Sequence, residues 1–243
     1  MPNFKLAFWN MQRFNGRSAS WPERIQPMKQ WLASLAPDVF CACEIGAQGV
    51  AAIEEDLPYI CVGYYDPTNG QDPDKQSQLG LAMFRRNSFA GAGRAVASGG
   101  GTSKRGIIAY DVDGIRVIGV HQYANNDIEN FESGLDLLCG AEKTIVIGDF
   151  NWDFKHDEAI AANGRFLGNT SIVAHCMLPV GAGEVTLSET YRSNRVGPAA
   201  CLFDYLLYRG PIGVVAKPYC GGNPEWNAYN YSDHRPIVYQ VTP

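Results

Sequence analysis

The sequence predicts an α/β chain whose strands lie in one or two sheets with helices packed outside. Three observations predict this. Apolar runs of strand length recur from end to end, each closed by a polar or turn-forming residue. Between some of them, apolar residues fall at helical spacing, and elsewhere hairpin signals appear, so crossovers and hairpins are mixed. Finally, 26 glycines and 14 prolines in 243 residues favour many turns and short elements.

The elements follow in order. "FKLAFWN" (4–10) reads as a strand. "IQPMKQWLASLAPD" (25–38) reads as a helix, with Ile25, Met28, Leu32 and Leu35 on one face and Pro37 past its end. "DVFCACE" (38–44) is a strand, "GVAAIEEDL" (49–57) a short helix, and "YICVGYY" (59–65) a strand. "DPTNGQDPDKQSQ" is a polar, turn-rich loop. "LGLAMFRR" (79–86) is a strand, and "GAGRAVASGGGTSKRG" (91–106) reads as flexible and mildly basic. "GIIAYDVDGIRVIGVH" (106–121) reads as a hairpin turning at Asp113-Gly114. "DIENFESGLDLLCG" (127–140) is a helix closed by Gly140. "TIVI" (144–147) is a buried strand, 152–200 is less regular, and "ACLFDYLLYR", "GVVAKPYC" and "PIVYQV" are the last three strands. No repeat and no linker is visible, so residues 1–243 are expected to form a single domain.

Composition bounds the function. Hydrophobic residues make up 46% and charged residues 19%, enough for a sizeable core. A net charge of -5 is not the footprint of a general nucleic-acid-binding module, yet carboxylates that hold a metal lower the count without repelling a metal-bound phosphate. Seven cysteines, an odd number set mostly in apolar runs, read as reduced thiols rather than a disulfide framework. Only "CAC" (41–43) comes near zinc-ligand spacing. The start of the chain shows no basic-then-apolar leader, and the most apolar long window is broken by Asp204, Arg209 and prolines, so no membrane span is expected. The expected compartment is the cytoplasm.

The strands share one feature: they end on polar groups. "LAFWN" ends on Asn10, "VFCACE" on Glu44, "VIGVH" on His121, and "IVIGDFN" on Asp149 and Asn151. "CLFDY" carries Asp204 inside an apolar run, where an unpaired charge would be costly, and Ser232, Asp233 and His234 precede the last strand. Each has a plainer reading. A solvated strand end explains a single Glu, and Gly-Asp-Phe-Asn is rich in turn formers. If the chain stays extended past Asp149, that residue and Asn151 point the same way.

Taken together and in order, "WN", "E", "VH", "GDFN", "FDY" and "SDHRP" resemble the endonuclease/exonuclease/phosphatase superfamily, the family of deoxyribonuclease I and the abasic-site endonucleases. The match runs over residues 8–239. The resemblance implies a four-layered sandwich, two packed mixed β-sheets flanked by helices. It also implies metal-dependent phosphoester hydrolysis at one edge of that sandwich.

It implies roles as well. Glu44, Asn10 and Asp233 fall on the metal side, with Asn10 either a carbonyl ligand or an orienting group. Asp149 is the base or water-orienting carboxylate, and Asn151 holds the phosphate or the attacking water. His234 contacts the scissile phosphate with Asp204 as its carboxylate partner, and His121 stands near the phosphate. Mg²⁺ or Mn²⁺ is the expected cofactor; one ion is expected, and a second is left open. Three departures bear on that: Cys43 stands where much of the family has Gln, Gln12 where abasic endonucleases have Asp, and Gln76 and Gln78 where deoxyribonuclease I has an acidic partner for the first histidine.

The expected substrate is nucleic acid, DNA over RNA, cut as an endonuclease would cut it, with no obligate protein partner. Lys104, Arg105 and Trp152 are the substrate-contact candidates, the first two by charge and the third by stacking. Arg13, Arg17, Arg85, Arg86 and Arg94 are further candidates for the rim. The alternative is a phosphatase or phosphodiesterase on a small-molecule or lipid-headgroup phosphoester, of inositol phosphate or sphingomyelin type. A non-catalytic binding module would have lost a core metal or base residue, and none is lost.

Overall fold

The computed structural model describes residues 3–14, 21–66, 80–91, 93–99, 106–121, 141–151, 191–192, 200–201, 204–217 and 232–243. In chain order the elements are β1 (Phe4–Phe14), α1 (Trp21–Leu35), β2 (Val39–Ile45), α2 (Ala47–Asp56), β3 (Tyr59–Tyr65), β4 (Leu81–Arg86), β5 (Gly93–Gly99), β6 (Ile107–Val112), β7 (Ile115–His121), β8 (Lys143–Asp149), β9 (Tyr191–Arg192), β10 (Ala200–Cys201), β11 (Asp204–Arg209), β12 (Gly213–Lys217) and β13 (Ile237–Thr242).

These strands form two mixed sheets and a short β10–β9 ribbon. The first sheet has six strands in the order β12-β13-β1-β2-β4-β3, and the second has five, β11-β8-β7-β6-β5. Each contains one parallel pair, β1 with β2 and β7 with β8, among antiparallel neighbours. The sheets pack face to face. Phe8, Cys41, Met83 and Tyr239 of the first meet Ile108, Val117, Ile147 and Leu206 of the second in one buried cluster. Strands buried on both faces read as near-continuous apolar runs, and β2 does so because its other face is covered too. There Trp9, Phe40, Ala42 and Phe84 pack under Met28, Trp31 and Leu32 of α1 and Ile53 of α2. The helix expected at 127–140, which would flank the second sheet, lies outside the described residues.

The structure adjusts the sequence reading in three places. Helix α1 begins at Trp21, with Pro22 in its first turn, where a missing N–H costs nothing, and Pro27 within it. The stretch read as flexible contains β5, which pairs with β6 through a register shift between Ala95 and Ala97; small residues without alternation hid it. "ACLFDYLLYR" is two strands, β10 and β11, and Asp204 is the first residue of β11 rather than a residue inside a run. The hairpin stands as expected, with Asp113 (φ 48°) and Gly114 (φ 76°) both left-handed. No helix among the described residues is long and apolar enough to cross a membrane.

Candidate active site

Register builds half of the site. In the second sheet His121 ends β7 and lies opposite Asp149, the last residue of β8. Asp204 begins β11 and lies opposite Asp149 from the other side, because β11 runs antiparallel. Three polar side chains thus stand in a row at one end of three neighbouring strands. His121 and Asp204 are 0% exposed and Asp149 is 1% exposed. Burial of this kind is tolerated only where charges are paired and hydrogen-bonded.

Irregular backbone builds the other half. β1 carries a register shift after Asn10, and Gln12 adopts a left-handed φ of 43°. Glu44, near the end of β2, has a φ of 53°. That conformation breaks the alternation of β2 and brings Glu44 Oε1 to 3.9 Å from His121 Nε2. Asn10 lies between the halves: its Nδ2 donates to Asp149 Oδ2 at 2.9 Å and to Glu44 Oε1 at 3.2 Å, while its Oδ1 accepts from the Gln12 N–H at 3.0 Å. Non-glycine residues held in left-handed conformations concentrate at functional sites.

The chain does not stay extended past Asp149. Asp149 Oδ1 accepts from the Asn151 N–H at 2.8 Å, and Asn151 is left-handed at φ 52°. The turn reading therefore describes this stretch, and Asn151 is brought round by a turn rather than by strand alternation. Phe150, fully buried, stacks on Tyr205 of β11 at 4.1 Å and 7°, which pins the turn.

The segment before β13 closes the site. His234 Nδ1 lies 2.8 Å from Asp204 Oδ2, and its Nε2 lies 3.8 Å from Asp149 Oδ2. Asp233 Oδ1 is 4.0 Å from the same Nε2, and the Asp233 N–H donates to Gln12 Oε1 at 3.2 Å. Burial by itself pushes the His234 imidazolium's pKa down, but the carboxylates of Asp204, Asp149 and Asp233 outweigh it and hold the ring charged at neutral pH. Burial also pushes the Asp149 carboxyl up, against the opposing pull of His234 and of the Asn10 and Asn151 hydrogen bonds.

Three supporting contacts have no role in the sequence reading. Ser232 Oγ donates to the Asn10 carbonyl at 2.6 Å and accepts from the His234 N–H at 3.1 Å. Trp9, packed on Trp31, donates from Nε1 to the His234 carbonyl at 2.9 Å. Arg24 of α1 is only 9% exposed; its guanidinium donates to the Gln12 carbonyl at 2.8 Å and to the Met11 carbonyl, and burial pulls its pKa down against the opposing charges of Asp233 and Glu44. An arginine in a helix reads as a solvated surface charge, so sequence carries no signal for it.

The site donors suit a hard divalent cation. Glu44 and Asp149 set carboxylate oxygens around Asn10 and His121, Asp233 sets another 4.0 Å from His234 Nε2, and oxygen donors of this kind are what Mg²⁺ or Mn²⁺ takes. Glu44 and Asp233 keep 18% and 25% of their side-chain surface exposed, so the cluster is reachable from solvent.

Other candidates fall elsewhere. Lys104, Arg105 and Trp152, with Arg17, lie outside the described residues, as does the side chain of Arg13. Gly106, next to Arg105 in the chain, accepts from the His121 N–H at 3.2 Å. Arg85 and Arg86 do not line this rim. They sit opposite Val39 and Tyr59, at the far end of the first sheet, where Arg86 pairs with Asp38. Arg94 pairs in register with Asp111 at the far end of the second.

A family model described as Endonuclease/Exonuclease/phosphatase family matches residues 7–234. No curated protein matches the chain. Among solved structures, D. rerio TDP2 complexed with single strand DNA product superposes with a TM-score of 0.62 at 16% identity, over 99% of each chain. The human Nocturnin catalytic domain with bound sulfate anion gives 0.66 at 16%, over 99% of this chain and 93% of that one. The 3'-5' exonuclease NExo from Neisseria meningitidis gives 0.66 at 14%, over 98% and 100%.

Proposed function

The chain belongs to the endonuclease/exonuclease/phosphatase family, and from that premise we propose that it is an endonuclease, a single domain over residues 1–243 that hydrolyses phosphodiester bonds of DNA in preference to RNA with Mg²⁺ or Mn²⁺. The family membership makes it a divalent-metal-dependent phosphoric ester hydrolase. The observation that carries the finer reading is the His234–Asp204 pair facing Asp149 across 3.8 Å, with Asn10 tying Asp149 to Glu44. The single-domain reading is supported by the pairing of β1 with β13, which joins both ends of the chain in one sheet.

Each residue has a task. Glu44 and Asp233 would hold the cation, and Asn10, whose amide nitrogen faces both carboxylates, orients Glu44 and Asp149. When bound, the cation supplies positive charge to the phosphate and its leaving oxygen. Asp149, with its raised proton affinity, accepts the proton of the attacking water. A base whose pKa is lifted toward neutrality is better matched to that transfer. His234, kept charged by Asp204, donates from Nε2 to a non-bridging phosphate oxygen, where negative charge grows in the transition state. The Asn151 amide donates to the same group, and His121 braces it from β7. Lys104 and Arg105 precede Gly106, beside His121, and are proposed to meet the substrate backbone; Trp152, next to Asn151, is proposed to stack on a base. The DNA named with the D. rerio enzyme supports the choice of polymer.

The test is cleavage of supercoiled plasmid and of single-stranded RNA with Mg²⁺ or Mn²⁺, against EDTA and beside His234→Ala. Metal-dependent nicking of the closed circle, lost by about 10²-fold or more in the variant, is the expected result. A closed circle has no ends, so nicking requires an endonuclease. Release of phosphate from small or lipid phosphoesters, with both polymers intact, would overturn the nucleic-acid reading.

A further inference from the structure

Cys43 is the residue of this site that oxygen chemistry does not use. It is fully buried, on the face of β2 that meets the second sheet, and pairs in register with Asn10. Its Sγ, a ring nitrogen of His121 and a carboxylate oxygen of Asp149 all lie within 4.8 Å of one another. His121 Nε2 is in turn 3.8 Å from Asp149 Oδ2 and 3.9 Å from Glu44 Oε1. The left-handed backbone of Glu44 is what lets neighbours on one strand, Cys43 and Glu44, approach the same imidazole. Sulfur, nitrogen and oxygen donors so disposed do not match a hard cation that prefers six oxygens. They match the four-coordinate, thiolate-accepting chemistry of zinc.

We propose that Cys43, His121 and Asp149, with Glu44 in reach as a fourth donor, form a Zn²⁺ site that overlaps the oxygen site of the hard cation. Zn²⁺ binding displaces the Cys43 thiol proton to solvent and forms the Zn–S bond; one proton leaves per ion bound, and no oxidation is involved. Burial keeps the free thiol protonated, and the dipositive ion reverses that preference locally. Because Zn²⁺ takes Asp149 into its coordination shell, that carboxylate no longer serves the attacking water. Zn²⁺ therefore acts as a brake, a consequence that rests on the role proposed above for Asp149.

The test is zinc X-ray absorption on the wild-type protein loaded with one equivalent of Zn²⁺. The expected spectrum has one sulfur at about 2.3 Å with nitrogen and oxygen neighbours. The sulfur is lost in Cys43→Ser, kept in Cys61→Ser, and Zn²⁺ affinity falls about tenfold or more in the first variant only. A wild-type spectrum without sulfur, or sulfur that persists in Cys43→Ser, overturns the proposal. The wild-type spectrum decides even if Cys43→Ser fails to fold. None of these readings needs turnover, so they stand apart from success or failure of the nuclease assay. In that assay, stronger Zn²⁺ inhibition of wild type than of Cys43→Ser supports the brake, and equal inhibition overturns it.

Discussion

The two halves of the site are built by opposite means. In the second sheet, His121, Asp149 and Asp204 are placed by regular strand pairing and are sealed from solvent. In the first sheet, Asn10, Gln12 and Glu44 are placed by a register shift and two left-handed residues, and Glu44 keeps contact with water. Regular pairing gives a rigid row whose members cannot move singly. Irregular backbone gives a rim that turns side chains out of their natural alternation and leaves a cation a way in. The groups assigned to proton transfer lie on or against the rigid row, and those assigned to the metal lie mostly on the strained rim.

That contrast can be broken from the rigid side first. Asp204→Asn keeps the shape of the row but removes the charge that holds His234 protonated. Turnover should fall by roughly 10²–10⁴-fold, and the imidazole titration followed by NMR should move downward. An unchanged His234 titration would dissociate the pair. Next in size is Gly148→Ala. Its Cβ would stand 2.1 Å from the Val120 carbonyl oxygen, so β7 and β8 would have to separate. The stability cost, read from urea unfolding, should be about 1–3 kcal/mol. The smallest effect belongs to the strained rim. Gln12→Gly removes the penalty of a left-handed side chain but also the hydrogen bond to Asp233. Stability should change by less than about 1 kcal/mol, while metal affinity measured by calorimetry weakens. A large loss of stability there would show that the rim is as rigid as the row.

The same contrast explains what could be read beforehand. Groups placed by register appear in the sequence as strands that end on polar residues, so His121 and Asp149 are legible, as is the Asp113-Gly114 hairpin, whereas Asp204, which begins β11, shows only as a charge within an apolar run. The strained rim was only half legible. Glu44 showed as a strand end, but nothing in "CACEIG" announces a left-handed glutamate. Gln12 registers in the sequence as an acid that is absent; in the fold it is the acceptor that positions Asp233. Arg24 was invisible because its partners are backbone carbonyls, which have no sequence signature. Arg85 and Arg86 do not reach the rim for a related reason. Arg85 and Arg86 follow an apolar run as Glu44 does, but β4 runs antiparallel to β2 and delivers them to the opposite end.

Ser232 holds a further consequence. Its hydroxyl joins the His234 N–H to the carbonyl of Asn10, which lies 222 residues before Ser232 in the chain. The intervening chain must therefore be synthesised before this contact can form. Contacts of such long range pay their loop-closure entropy late in folding. A nascent chain carries Glu44, His121 and Asp149 on strands that can already pair, yet lacks His234 to face them. Completing the site therefore waits on the synthesis and docking of the segment that carries Ser232 and His234.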